Sequence, residues 1–221
     1  MKRLLVFAAW IAAVTAAHTW KHQHRQHQRH YRHHQHHHTP RARTALPEGY
    51  YVKPMIWRGT LKEGDPEITL HGTIEDVAAQ IRAVEPQFIW PSQDQHATIS
   101  ERAEITKVTC DIDGANAHGA PLLQVWQIRN NLAHATGTCS VEGGPGVCSR
   151  ISCSGHAALW LCSDSPSYIY TKCNDLVAYT NDIVNECQGS SKGHMHDQHA
   201  TVRGRGSDTG DYHVIIGYDD C

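Results

Sequence analysis

Apolar positions recur along this chain with two different periods. Between residues 173 and 187, Cys173, Leu176, Val177, Thr180, Ile183, Val184 and Cys187 repeat at three- and four-residue steps, and Gly189 follows. That spacing marks one face of a helix with a glycine stop, a cysteine standing at each end. Ile74, Val77, Ala78 and Ile81 repeat the same way behind Gly72-Thr73. Thr73 is placed to cap the helix, Asp76 falls at the reciprocal capping-box position, and Pro86 ends the run. Residues 121–135 predict a further helix, with Pro121 at its first position and Gly137 just past its end.

Other stretches read as strands: residues 50–57, 67–71, 148–153, 157–162 and 211–218. The turn Gly143-Gly144-Pro145-Gly146 precedes the third of them, and Ser154-Gly155 joins the third to the fourth. Residues 148–162 are therefore expected to form a hairpin with cysteines at its strand ends. Strands interspersed with about three helices predict an α+β fold, a disulfide-stapled α/β sandwich with a mainly antiparallel sheet.

The N-terminal region reads differently. Met1-Lys2-Arg3 leads into the apolar run of residues 4–13 and the small residues Val14-Thr15-Ala16-Ala17, so residues 1–17 have the make-up of a secretory signal peptide. The run is shorter than the twenty or so apolar residues needed to cross a bilayer core, and no later segment reads as a membrane span. Residues 18–45 are expected to be a disordered, histidine-rich basic tract. Positions 18–43 contain ten histidines and six Lys/Arg with no acid, a composition too polar to offset its ordering entropy. Pro40-Arg41-Ala42-Arg43 resembles a basic processing site, which would make the tract a propeptide. Residues 46–221 are expected to form the cysteine-rich domain. Beyond Arg43 stand 12 Lys/Arg against 22 Asp/Glu, a net charge of −10.

The expected export bears on the thiols. All eight cysteines, Cys110, Cys139, Cys148, Cys153, Cys162, Cys173, Cys187 and Cys221, lie in the last 112 residues of the chain. An even set in an oxidising compartment predicts four disulfides. Eight cysteines allow 105 pairings, so the connectivity stays open. The competing reading is zinc held by Cys148, Cys153, His156 and Cys162, but their spacing lacks the close pairs of structural zinc sites.

The turn into Cys148, the run Ser149-Arg150-Ile151-Ser152-Cys153-Ser154, the strand to Cys162-Ser163-Asp164, the cysteine-ended helix and the last apolar strand resemble a family of secreted cysteine-rich proteins of filamentous ascomycete fungi. Trp57-Arg58-Gly59 and Gly72-Thr73 extend the resemblance to most of 46–221. Members of that family are regarded as candidate effectors, which implies virulence-related binding of an extracellular or host protein. The cysteine-ended helix and final strand are also similar to smut-virus killer toxins, which have an α/β sandwich. The segment His194 to His199 departs from the family pattern, as does the histidine tract.

Motifs for catalysis are weak. Gly189-Ser190-Ser191-Lys192-Gly193 matches G-x-S-x-G but follows a helix where a nucleophile elbow needs a strand. Asp111-Ile112-Asp113-Gly114 starts like a calcium loop, yet its twelfth position is Leu122 instead of Glu. No catalytic residue and no enzymatic activity is expected. His194, His196 and His199 are a candidate copper or zinc site, as is the histidine tract. His156 and His213 are placed on strands as packed or surface residues, and Trp57, Trp90, Trp126 and Trp160 as packing residues. A net charge of −10 argues against nucleic acid. The expected protein is a monomeric, non-enzymatic, effector-like binder, with a membrane-active antimicrobial or a metal binder as alternatives.

Overall fold

A computed structural model describes residues 44–62, 64–90, 105–110, 112, 118–188 and 200–221. By its contacts the chain divides into Met1–Arg41 and Ala42–Cys221, and all described residues belong to the second unit. Residues 1–17, expected to be a signal peptide, the tract to Arg43, the Asp111-Asp113 pair and residues 189–199 lie outside the described residues.

Among the described residues, twelve strands and three helices follow one another as β1 (Tyr51–Lys53), β2 (Ile56–Gly59), β3 (Ile68–His71), α1 (Ile74–Val84), β4 (Ile105–Thr109), β5 (Ala120–Pro121), α2 (Leu122–His134), β6 (Thr138–Val141), β7 (Val147–Ser154), β8 (Ala157–Ser163), β9 (Ile169–Lys172), a 3-10 turn (Cys173–Asp175), α3 (Leu176–Cys187), β10 (Thr201–Val202), β11 (Gly204–Asp208) and β12 (Tyr212–Tyr218). They build a six-stranded sheet in the order β1-β7-β8-β12-β11-β4, a four-stranded sheet in the order β3-β2-β6-β9, and a small β10-β5 pair. The β1–β7 pairing is parallel. All other strand pairings among the described residues are antiparallel. The α+β expectation with three helices and mainly antiparallel sheets is what the chain adopts.

Local chemistry accounts for several elements. Thr73 caps α1: its Oγ1 accepts from the Asp76 amide at 3.3 Å, while Asp76 Oδ2 accepts from the Thr73 amide at 2.9 Å. These bonds satisfy amides that the first helical turn leaves without partners. Ile74, Val77, Ala78 and Ile81 form the buried face, as their spacing predicts. β7 and β8 meet at Gly155 and His156, both with positive φ (48° and 70°). Two consecutive residues in that region make the hairpin turn whose twist matches its strands. His156 therefore belongs to the turn and not to a strand, correcting the sequence reading. A bulge between Arg150 and Ser152 leaves Ile151 without a partner on β8 and sends it into the core.

Three boundaries also differ from the sequence pattern. Residues 50–57 form two strands in different sheets, because Pro54 has no N–H to continue a ladder. Pro121 is the N-cap of α2 instead of its first turn, and it pairs with Thr201 in β5–β10. The cysteine-ended helix begins as a 3-10 turn at Cys173 and becomes α-helical at Leu176.

The main core lies where α2 and α3 cover one face of the six-stranded sheet and the four-stranded sheet adds Trp57, Cys139 and Val141. Trp57 and Trp160 are fully buried, and Trp90 and Trp126 pack against the core from its edge, so all four tryptophans serve packing. Helix α3 lies close over β11 because Gly204 and Gly206 face it. A β-carbon at Gly204 would stand 2.7 Å from Ile183 and 2.9 Å from the Cys187 sulfur. On the opposite face of the same sheet, Ala45, Leu46 and Ile112 cover Cys148, Ala158, Trp160, Cys162 and Ile215. The Ala45 amide donates to the Tyr218 carbonyl at 2.8 Å, and the strap crosses β12 where Gly217 leaves room for the Ala45 methyl.

Candidate functional site

The eight cysteines form four disulfides, Cys110–Cys187, Cys139–Cys173, Cys148–Cys162 and Cys153–Cys221, with none left free. The pair Cys139–Cys173 ties the middle of the four-stranded sheet to the start of α3, and Cys110–Cys187 ties the end of α3 to the end of β4. Cys148 and Cys162 bridge opposite positions of the β7–β8 hairpin. Cys221 fastens the last residue to β7. These bonds consume Cys148, Cys153 and Cys162, so the zinc reading at those thiols is not available. His194, His196 and His199 lie outside the described residues. Among the described residues no group of three or more His, Cys, Asp or Glu side chains is arranged to hold a metal ion.

One histidine is bound into a polar cluster. His213, on β12, has its ring wholly removed from solvent, with Nδ1 2.7 Å from Asp164 Oδ2 and Nε2 3.3 Å from the Tyr50 hydroxyl. The Arg205 guanidinium lies 3.1 Å from Nδ1 and 3.6 Å from the same carboxylate oxygen. A carboxylate only accepts, so the shorter contact, from Asp164, calls for the proton on Nδ1, and the Arg205 guanidinium, which only donates, pairs with the same carboxylate. Nε2 is left to accept from Tyr50. Burial pulls the His213 pKa down; the hydrogen bond to Asp164 opposes this and the Arg205 charge adds to it. The neutral ring therefore works as a bridge between the strap and the sheet. The order hydroxyl, histidine, carboxylate is that of a general-base relay, but its basic nitrogen is occupied by a phenol and closed to solvent.

Two further polar clusters hold the core together. Tyr179 on α3 donates to Asp208 and lies 3.1 Å from the Tyr212 hydroxyl. Burial, followed by the bond to Asp208, pushes the Tyr179 phenol well above the usual tyrosine range, and burial raises Tyr212 as well. Glu75, in the first turn of α1, accepts from Ser152 Oγ at 2.5 Å, Asn131 Nδ2 at 3.0 Å and the Cys153 amide at 3.3 Å. A groove of about 480 Å³ between β4 and α3 carries Lys107, Asp182 and Glu186 and contains no nucleophile paired with a base.

The outward face of the four-stranded sheet has another character. Strand register places Ile56, Ser140 and Tyr170 in one row across β2, β6 and β9, and Arg58, Thr138 and Lys172 in the next. Arg58, Tyr170 and Lys172 are exposed, while the alternate residues Trp57 and Cys139 turn into the core. The Arg58 guanidinium sits over the Tyr170 ring at 5.4 Å, and the Tyr168 and Tyr170 rings stack at 6.0 Å and 22°. Arg58 and Lys172 have no carboxylate partner among the described residues. Glu142, which follows β6 beside Tyr168, is engaged by Lys53 at 3.7 Å and by the Tyr168 hydroxyl at 3.2 Å. Sequence reasoning passed over this face. Its signal was the alternation Tyr168, Tyr170, Lys172, which is short and carries only half a strand's worth of apolar residues.

No protein-family model matches the chain, and a search of curated proteins found no match either.

Proposed function

We propose that this chain is a secreted, effector-like protein that acts without catalysis, by binding an extracellular or host target through its disulfide-stabilised domain. The observation that carries this reading is the outward face of the four-stranded sheet. Arg58 and Lys172 stand there as exposed cations without carboxylate partners among the described residues, beside a stacked tyrosine pair, on a sheet tied to α3 through Cys139–Cys173. Exposed aromatic and arginine side chains on a rigid support are the residue types that supply most energy at binding surfaces. The His213 ring, by contrast, is out of reach of any substrate. Four disulfides favour an oxidising compartment.

The test compares the secreted full chain with its Arg58→Ala/Tyr170→Ala variant for retention on host cell surfaces and extracts. Retention of the wild type and its loss in the variant support the reading. Equal retention of both, or of neither, overturns it.

A second reading, a killer-toxin-like membrane-active protein, is favoured by a helix clamped through a cysteine at each end, to the four-stranded sheet at Cys173 and to the end of β4 at Cys187. Leakage of anionic vesicles at pH 5.5 decides it, and intact vesicles reject it. Copper or zinc binding by the histidine tract and by His194, His196 and His199 is a separate proposal. Calorimetry with either metal on the full chain tests it.

A further inference from the structure

We infer that the open face of the four-stranded sheet binds a carboxylate-bearing polysaccharide, a uronate polymer in an extended conformation. The inference rests on the binding-protein reading and specifies the partner of the same face.

Charge gives the first argument. Beyond Arg43 the chain carries a net charge of −10, yet the exposed positions of β2, β9 and β3 on this face are Arg58, Tyr170, Lys172, Thr69 and His71, joined by the half-buried Thr138 of β6, with no carboxylate among them. Arg58 and Lys172 belong to one row separated by β6, so their backbones lie about 10 Å apart, two strand spacings. Two cations left without acids in an acidic molecule complement an anionic partner. A planar guanidinium pairs with a carboxylate through two parallel N–H donors, and stacking on Tyr170 limits the ordering it loses in doing so.

Shape and polarity give the second. The surface is a sheet face flanked by tyrosines and not a pocket, which suits a chain lying across it better than an enclosed small molecule. The Tyr168 and Tyr170 rings are each about half exposed. Arg58 and Tyr168 flank the Tyr170 ring, which holds both of them in place; the outer π face of Tyr168 attracts the positively polarised C–H groups that a pyranose presents on one side, while its hydroxyls reach Thr138 and Thr69. A nucleic-acid duplex carries a far denser line of charge than one carboxylate per sugar, so the acidic remainder of the molecule repels it more strongly than it repels a uronate chain. An acidic peptide would meet the cations but leave the tyrosine faces without a partner of matching shape.

The experiment is isothermal titration calorimetry of the full secreted chain with polygalacturonate, alongside its fully methyl-esterified form, a neutral β-glucan and poly-glutamate. The expected result is binding to polygalacturonate alone, weakening as salt is raised. Arg58→Ala or Tyr170→Ala should each reduce affinity about tenfold or more, while Tyr170→Phe keeps most of it. Both positions are exposed, and circular dichroism confirms that the variants fold. Four outcomes overturn the inference: no binding, equal binding of the esterified polymer, equal binding of poly-glutamate, or undiminished binding by Arg58→Ala. The last of these assigns the attraction to the basic tract at residues 18–43. Retention on cell surfaces that depends on Arg58 and Tyr170, combined with indifference to polygalacturonate, rejects the polysaccharide and leaves the binding-protein reading standing.

Discussion

The Nδ1–H of His213 points at Asp164 Oδ2 from 2.7 Å inside a ring environment closed to water, so a neutral imidazole joins the Tyr50 strap to β12 and to the end of β8. Tyr50, Asp164 and Arg205 are the polar and charged groups that face it. Burial lowers its pKa from 6.5, so the unfolded chain takes up the proton first as pH falls. The contribution of His213 is then complete above pH 6.5 and is lost as pH drops below that value towards the lowered folded pKa. Urea midpoints measured from pH 7.5 to pH 5 should fall with acidification, and His213→Gln should flatten that slope. An unchanged slope in the variant would show that the imidazole does not titrate on unfolding.

Gly204 is required by the approach of α3 to β11. A methyl group there meets Ile183, which is fully buried, and the Cys187 sulfur, which is bonded to Cys110, so neither is free to withdraw. Gly204→Ala should destabilise by about 1 to 3 kcal/mol through overpacking. At Gly206 the nearest atom lies at 3.1 Å, on the Tyr179 ring, so Gly206→Ala should cost less. Chemical denaturation of the two variants gives the order directly.

The disulfides close loops of different length. Cys148–Cys162 spans 14 residues, whereas Cys110–Cys187 spans 77 and Cys153–Cys221 spans 68. By the loop-entropy relation the short bridge stabilises by about 3 kcal/mol and the two long ones by about 4.5 kcal/mol each. Paired Cys→Ala variants should follow that ranking in thermal midpoint. If the hairpin bridge proves the most costly to remove, native-state packing outweighs the entropy of the unfolded chain.

Glu75 joins α1, α2 and β7 through one carboxylate. Glu75→Gln preserves its size but turns one acceptor into a donor that faces other donors. A loss of about 1 to 3 kcal/mol is expected, the cost of leaving Ser152 Oγ or the Cys153 amide without an acceptor. Ser152→Ala removes one partner only and should cost less. Equal losses would place the effect in packing around Ser152, which is fully buried.

Much of the secondary structure was legible before any tertiary contact was known. The capping box at Thr73 and Asp76, the apolar face from Cys173 to Cys187, the β7–β8 hairpin and β12 all stand close to where periodicity and turn chemistry put them. Strand β11 was not legible. Its sequence Gly204-Arg-Gly-Ser-Asp reads as a loop by propensity, and it pairs as a strand because only glycine admits α3 at that distance. The break at Pro54 was written in the chain, but that its two sides enter different sheets was not.

Residue types alone determined that the thiols would pair, that the helices would carry apolar faces, and that the chain beyond Arg43 would be acidic. These follow from interactions acting within a few residues, or from totals that need no geometry. Tertiary structure alone decided which of 105 pairings the cysteines take, why His213 meets Tyr50 across 163 residues, and how Arg58 comes to lie over Tyr170. Those relationships depend on the order and register of β2, β6 and β9 and on the strap over β12. Both are set by the joint burial of segments far apart in sequence, for which no local pattern exists.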